Sequence, residues 1–260
     1  MKIDKALKNK TFLLTRSLED NEDVACVLKE QGAQAISWPV FTYQALELST
    51  RDQDVFKNIH DFDWIVFTSP RSVFYFFEVC QKLGLTSSLS KIKIASIGQA
   101  TALLLRKKKV TVDLIPQTQT SEGLVEETVF KQSKKLNILI PGAEDARGFF
   151  EQKMRDQHRI ETISLYKKEF VQFCDQDVAA LVNKSVDWFL FYSPSAVKGF
   201  IQGLGLEKAQ AFLTKTNIAA IGSVTADYIK EQGLPVAVVA DEATTEKLIE
   251  NIIKAYKEVC

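Results

Sequence analysis

Short apolar runs alternate along this chain with stretches whose apolar residues recur every third or fourth position. Trp64–Thr68 and Trp188–Tyr192 are almost wholly apolar, the pattern of parallel strands covered on both faces. A Ser-Pro pair follows each run; Ser suits a helix N-cap and Pro the first helical position. Beyond it, Val73, Phe76, Phe77 and Cys80 fall at i, i+3, i+4 and i+7, and Val197, Phe200, Ile201 and Leu204 repeat that spacing. One face of each helix therefore packs on a sheet. Strands are expected at Ile94–Ile97 and Ile218–Ile221, leading through Gly98 or Gly222 into further helices. Val110–Ile115 and Val236–Val239 read as strands before Thr/Ser-capped helices at 121 and 245. Strands alternating with helices predict parallel-sheet α/β domains.

The pattern occurs twice. DWIVFTSPRSV from Asp63 returns as DWFLFYSPSAV from Asp187, and KIASIGQATA from Lys93 as NIAAIGSVTA from Asn217. One offset of 124 positions relates Asp63 to Asp187, Ser69 to Ser193, Gly98 to Gly222, and Thr101 to Thr225. A constant register over this length indicates an internal duplication. The copies begin near positions 11 and 137, with KTFLLTR matching LNILIPG. Helical stretches Glu19–Gln31 and Asp145–Gln157 follow, then a strand through Trp38 or Leu165.

Composition narrows the classes. A length of 260 residues suits two domains, and 46% apolar with 25% charged residues is ordinary for globular cores. Lys plus Arg equal Asp plus Glu at 33 each, which argues against a wholesale nucleic-acid or anionic-membrane binder. Cys26, Cys80, Cys174 and Cys260 are far apart and only His60 and His158 occur. Neither a metal-ligand spacing nor a disulfide framework results. The N-terminal segment MKIDKALKNKTFLLTRS shows no signal-peptide pattern. A soluble cytoplasmic protein is expected.

Ligands of open α/β sheets bind beyond the carboxyl ends of the strands. Those ends carry Arg16, Ser69, Gly98, Ser193 and Gly222, most of them at helix N-termini, where free N–H groups favour anions. Ser69 and Ser193 read equally as caps, and Gly98 and Gly222 as turn residues. Thr101 and Thr225 lie a turn into their helices, where Thr has no propensity advantage; ligand contact or shared ancestry explains their recurrence. Arg16, Arg71 and Arg147 suit ligand carboxylates as well as surface ion pairs. GxGxxG, GxxxxGK[ST] and GxSxG motifs are absent.

LLTR at Leu13–Arg16, FTSPRSV at Phe67–Val73, IGQATA at Ile97–Ala102, SLY at Ser164–Tyr166, FYSPSAV at Phe191–Val197 and IGSVTA at Ile221–Ala226 together resemble the uroporphyrinogen-III synthase family. GLPVAVVADEATTEKLIENI near the C-terminus adds to the likeness, which runs from Thr11 over nearly the whole chain. The order and spacing of these motifs carry it, more than any one of them.

The resemblance implies two flavodoxin-like α/β lobes joined by a two-stranded connector. One lobe is expected to hold 1–38 and 169–260 and the other 43–164, with Pro39–Thr42 and Leu165–Lys168 as connector strands. It implies cyclisation of hydroxymethylbilane with inversion of ring D and loss of water, without cofactor or metal. A monomer is expected, and the paired connectors Pro39–Thr42 and Leu165–Lys168 predict a cleft that closes on its substrate. Tyr166 matches the family's candidate acid; a phenol, with its pKa of ~10, stays protonated at neutral pH. Thr101 and Thr225 match family positions lining the cleft, and Ser69 and Ser193 match at the Ser-Pro turns; Gly98 and Gly222 join them as candidate substrate-binding residues. Arg16 and Arg147 lie in motifs that depart from the family, since Ser17 stands where many relatives have Pro and PGAEDARG is less Gly/Arg-rich than usual. A second reading is a non-catalytic two-lobed sensor of a polyanionic small molecule.

Overall fold

A computed structural model describes residues 6–85, 89, 91–133, 135–146, 148–182 and 184–259. The chain divides into two compact units, Met1–Thr42 with Glu169–Cys260, and Tyr43–Lys168.

The first unit is built on β1 (Thr11–Leu14), β2 (Gln34–Ser37), β8 (Trp188–Phe191), β9 (Asn217–Ala220) and β10 (Val238–Val239). They form one sheet in the order β10-β9-β8-β1-β2, every pair parallel. Counted along the unit's own sequence this is the 2-1-3-4-5 order of flavodoxin-like folds. Helices α1 (Leu18–Glu30), α9 (Pro194–Leu204), α11 (Ser223–Glu231) and α12 (Thr245–Val259) connect or follow these strands. All four residues of β8 are buried. Trp188 and Leu190 join the core containing Phe12, Leu28 and Leu248, while Phe189 and Phe191 pack their rings against Phe200.

The second unit reaches the same order by a different route. Its sheet runs β3-β7-β6-β4-β5, with β3 at Phe41–Ala45, β4 at Trp64–Phe67, β5 at Lys93–Ser96, β6 at Asn137–Ala143 and β7 at Arg159–Phe170. β7, β6, β4 and β5 pair in parallel. Taking β6 and β7 as the first two strands and β4 and β5 as the third and fourth restores the 2-1-3-4 order, with β3 added at the far edge. The connecting helices include α3 (Pro70–Lys82), α4 (Gln99–Lys107) and α7 (Phe149–Met154). Ile65 and Phe67 face a core with Phe76 and Leu105. Trp64 and Val66 face the opposite core with Phe130 and Phe150, so alternation on a doubly covered strand buries every residue of β4.

The aspartates that open the repeated motif fix strand order in both units. Asp63 Oδ2 accepts the Asn137 N–H at 2.8 Å, and Asp187 Oδ2 accepts the Thr11 N–H at 2.8 Å. Each carboxylate ties the start of strand three to the start of strand one. Lys10 adds an ion pair to Asp187 at 3.2 Å.

Two expected elements are shorter than the periodicity predicts. Val110–Ile115 makes only an isolated bridge, Leu114 to Ala95, because Asp113 Oδ2 takes the Ile94 N–H at 2.8 Å that a ladder would have used. The helix expected over Asp145–Gln157 is confined to α7, which starts after Gly148 at φ +60°, a left-handed residue that interrupts a helix. Among the described residues no helix is long and apolar enough to cross a membrane.

Candidate active site

The site builds from the Ser-Pro turn between β4 and α3. Ser69 is extended, at φ −157° and ψ 158°, and its Oγ accepts the Ser72 N–H at 3.1 Å. Ser72 Oγ accepts the Ser69 N–H at 3.3 Å and donates to the Ser69 carbonyl at 2.7 Å. This capping box, with Pro70 at the first helical position, leaves little freedom at the strand end.

Tyr166 reaches that turn from β7 through a β-bulge. Gly142 pairs with Ser164, but the next residue, Ala143, pairs with Tyr166, so Leu165 is the extra residue. An unbroken strand would send Leu165 and Tyr166 to opposite faces; here both belong to the core beneath α3. The phenol oxygen lies 3.2 Å from Ser69 Oγ. Tyr75, one helical turn after Arg71, stacks on the Tyr166 ring at 4.8 Å and 18°. Tyr43 from β3 meets the ring edge-on at 5.8 Å and accepts the Tyr75 hydroxyl on its carbonyl at 3.0 Å. The Arg71 guanidinium covers Tyr43 at 3.6 Å.

Burial is the largest influence on the phenol and holds its pKa above the ordinary tyrosine value. The Ser69 hydrogen bond and the Arg71 charge pull it down, and Asp145 pushes it up. Lys168, two residues further along β7, is shifted downward by burial, against Asp145 and with Arg71. The ensemble is a neutral, ring-packed phenol with a hydroxyl neighbour and a nearby cation. Such a group can give up a proton and have the resulting charge stabilised.

In the first unit Ser193 caps α9 through the Ala196 N–H at 3.2 Å, and its Oγ lies 3.0 Å from Ser195 Oγ. Arg16, at the end of β1, stands over the Tyr192 ring at 4.8 Å and 3.5 Å from Asp20. The Tyr192 hydroxyl is buried without a hydrogen bond of standard geometry among the described residues. Burial raises its pKa, while Thr245 and Arg16 act in the opposite direction.

Gly98 and Gly222 are the N-caps of α4 and α11, both in extended backbone and neither with a capping side chain of its own. Gln119 Oε1 accepts the Gln99 N–H at 2.9 Å and so covers the first turn of α4. At Gly222 a Cβ would meet nothing within 4 Å among the described residues. Extended geometry suits any residue, so an L-residue's strain is not what calls for glycine there. Thr101 and Thr225 are each only 3% exposed, three residues past those caps, with side chains inside the fold. Arg147 lies outside the described residues.

The structure thus brings Tyr166, Ser69 and Arg71 together, and Arg16 near Ser193's strand. Sequence reasoning missed Tyr43, Tyr75, Asp145 and Lys168. Two of these carried a signal: Tyr75 is four residues from Arg71 on one helix face, and Lys168 is two from Tyr166 on a strand. A hollow of about 380 Å³ lined by Arg51, Asn137, Arg159 and Glu161 lies at the amino ends of β6 and β7, away from Tyr166.

Comparison with known proteins gives a consistent picture. A family model described as "Uroporphyrinogen-III synthase HemD" matches residues 22–250. The chain is 23% identical over 253 residues to a Ruminiclostridium josui "Porphyrin biosynthesis protein HemD", covering 96% of this chain but 49% of that protein, about half its length. It is 28% identical to a Synechococcus elongatus "Uroporphyrinogen-III synthase" over 257 residues, 95% of each. The crystal structure of a Helicobacter pylori uroporphyrinogen-III synthetase superposes with a TM-score of 0.66 at 17% identity, over 94% of this chain and 99% of that one. At that identity the likeness speaks for the fold.

Proposed function

The chain belongs to the uroporphyrinogen-III synthase family, and on that footing we propose that it cyclises hydroxymethylbilane to uroporphyrinogen III with Tyr166 as proton donor. The Tyr166–Ser69 contact at 3.2 Å is the observation that carries this reading. The phenol gives its proton to the hydroxymethyl oxygen; the C–O bond breaks, water leaves, and an azafulvene cation remains. The substituted position of ring D attacks that carbon to form a spiro intermediate, which fragments and recloses with the ring inverted. The pyrrole carbon that regains aromaticity then loses a proton, which restores the phenol. Atoms balance with loss of one water, and no redox partner is called for.

Substrate carboxylates are assigned to groups that hold anions without dense positive charge. Arg16 and Arg71 supply cations, Ser69 and Ser193 mark helix N-termini, and the first turns after Gly98 and Gly222 offer backbone N–H groups. Thr101 and Thr225, with buried side chains, take part through the N–H groups of those turns. Fixed donors of this kind orient a flexible chain so that its two ends meet.

The test is direct. Purified protein is incubated with hydroxymethylbilane and the type I and type III isomers are separated. Predominant type III is expected; only the type I product of spontaneous closure would place the protein among binders rather than synthases.

A further inference from the structure

We propose that Ser69 is a polarising residue for Tyr166, donating its hydroxyl hydrogen to the phenol oxygen and coupling that oxygen to the N-terminus of α3. This inference rests on the proposed role of Tyr166 as proton donor and assigns Ser69 a place in the same step.

The geometry starts with the cap. Ser69 Oγ already accepts the Ser72 N–H at 3.1 Å, so one lone pair is engaged by the helix terminus. Its own hydrogen remains, and among the described residues the oxygen it meets beyond that turn is Tyr166 Oη at 3.2 Å. The direction of this bond follows from the chemistry. A phenol that donates to Ser69 would commit the proton the leaving hydroxyl needs, whereas one that accepts from Ser69 keeps its hydrogen free. Once that proton has gone, the phenolate has none to donate, and Ser69 is the partner that can respond. The N–H groups of the first turn of α3 and their dipole act on the phenolate through this hydroxyl. Ser69 loses no proton at any stage.

The other copy of the repeat shows that the cap does not require this arrangement. Ser193 caps α9 with the same bond to the third helical N–H, at 3.2 Å, yet its hydroxyl meets Ser195 at 3.0 Å. Around Tyr166 the charged and ring groups are Arg71 and Tyr75 from α3, Asp145 after β6, and Tyr43 from β3. The Ser69 bond favours the ionised phenol, as does Arg71, while burial and Asp145 oppose it.

The test uses Ser69→Gly, because glycine is nearly as good an N-cap as serine and costs only a few tenths of a kcal/mol. The phenol titration of Tyr166 is followed by NMR of ring-labelled tyrosine, assigned with Tyr166→Phe. Ser69→Gly is expected to move the titration to still higher pH and to lower kcat by about tenfold, the scale of one hydrogen bond to a developing charge, with KM little changed. Ser69→Thr should restore both. Ser193→Gly, the matched change in the other copy, should leave the Tyr166 titration in place. If Ser69→Gly leaves titration and kcat alone while Tyr166→Phe is inactive, Ser69 is a cap only and this inference falls. If Tyr166→Phe is fully active, the donor role itself falls, whatever the titration of Ser69→Gly shows. If Ser69→Gly fails to fold, Ser69→Cys keeps a side chain at the cap but donates weakly, and an unmoved titration there would equally overturn the inference.

Discussion

Ser69 and Ser193 each close the third strand of a flavodoxin-ordered sheet, cap the helix that leaves it, and precede a proline at its first position. The side chains one repeat apart around them differ. Arg71 corresponds to Ser195, Ser72 to Ala196, Tyr75 to Gly199 and Thr68 to Tyr192. In the second unit those residues give a full capping box, a cation near the phenol and a ring stacked on Tyr166. In the first unit the helix keeps only the serine cap, and Gly199 admits the Phe170 ring, 2.7 Å from where a Cβ would stand. The duplication preserved what satisfies backbone N–H groups at a strand-to-helix turn. The residues around Tyr166 were free to diverge, and the second unit has the cation and the stacked ring.

Breaking that asymmetry should show most at Tyr166. Tyr166→Phe keeps the stacked ring and removes the donor, so turnover should fall by roughly 10²-fold with an unchanged melting temperature; full turnover would move the acid elsewhere. Arg71→Ser gives the second unit the residue of the first. It should lower turnover by about tenfold through loss of a charge beside the developing phenolate, and shift the Tyr166 titration upward, since Arg71 favours the ionised form. Gly199→Ala begins to give α9 the side chain that α3 has. The added Cβ meets Phe170 at 2.7 Å and the Val40 carbonyl at 3.1 Å, so urea denaturation should show a loss of about 1–3 kcal/mol.

The smallest effect is expected at Tyr192. Its phenol, like that of Tyr166, is held above the ordinary value by burial. A raised folded-state pKa contributes stability that is present below ~10 and lost as pH climbs through the folded value. Tyr192→Phe removes one such group and a buried hydroxyl that makes no well-formed bond among the described residues. Melting at neutral pH should barely change, and the drop in melting temperature above pH ~10 should become shallower. An equally steep alkaline drop would assign it to Tyr166 or to the lysines.

The alternation of strands with helices and the repeat were legible because they rest on periodicity and on a constant offset, both properties of the sequence alone; the flavodoxin-like order came only with the family resemblance. The fifth strand shows where that stops. Val236–Val239 and Val110–Ile115 have similar apolar content, yet only the first yields a paired strand, β10. Ala237 sits where the other copy has Asp113, and the Asp113 carboxylate competes for the strand's N–H donor. Tyr166 was visible as a residue matching a family position, but its orientation was not. That depends on the bulge at Leu165, a register event between β6 and β7 that no periodicity encodes. Tyr43 and Asp145 come from other elements, and only the folded sheet brings them to the ring. The connector expected at Leu165–Lys168 falls inside the single strand β7.

The route by which the first unit is assembled has a cost in time. β1 finds its neighbour β8 only after more than half the chain has been made, since Thr11 and Asp187 are 176 positions apart. A ribosome adding about 5–20 residues per second takes on the order of ten to thirty-five seconds to cover that span. Over that interval Phe12, Leu13 and Leu14, all fully buried in the finished unit, have one edge paired at most and wait for Trp188–Phe191. Every residue of Tyr43–Lys168, by contrast, has been synthesised before β8 emerges. Nascent chains should therefore acquire protease resistance in the middle segment first, and the early βαβ unit of β1, α1 and β2 is where a chaperone would be most needed.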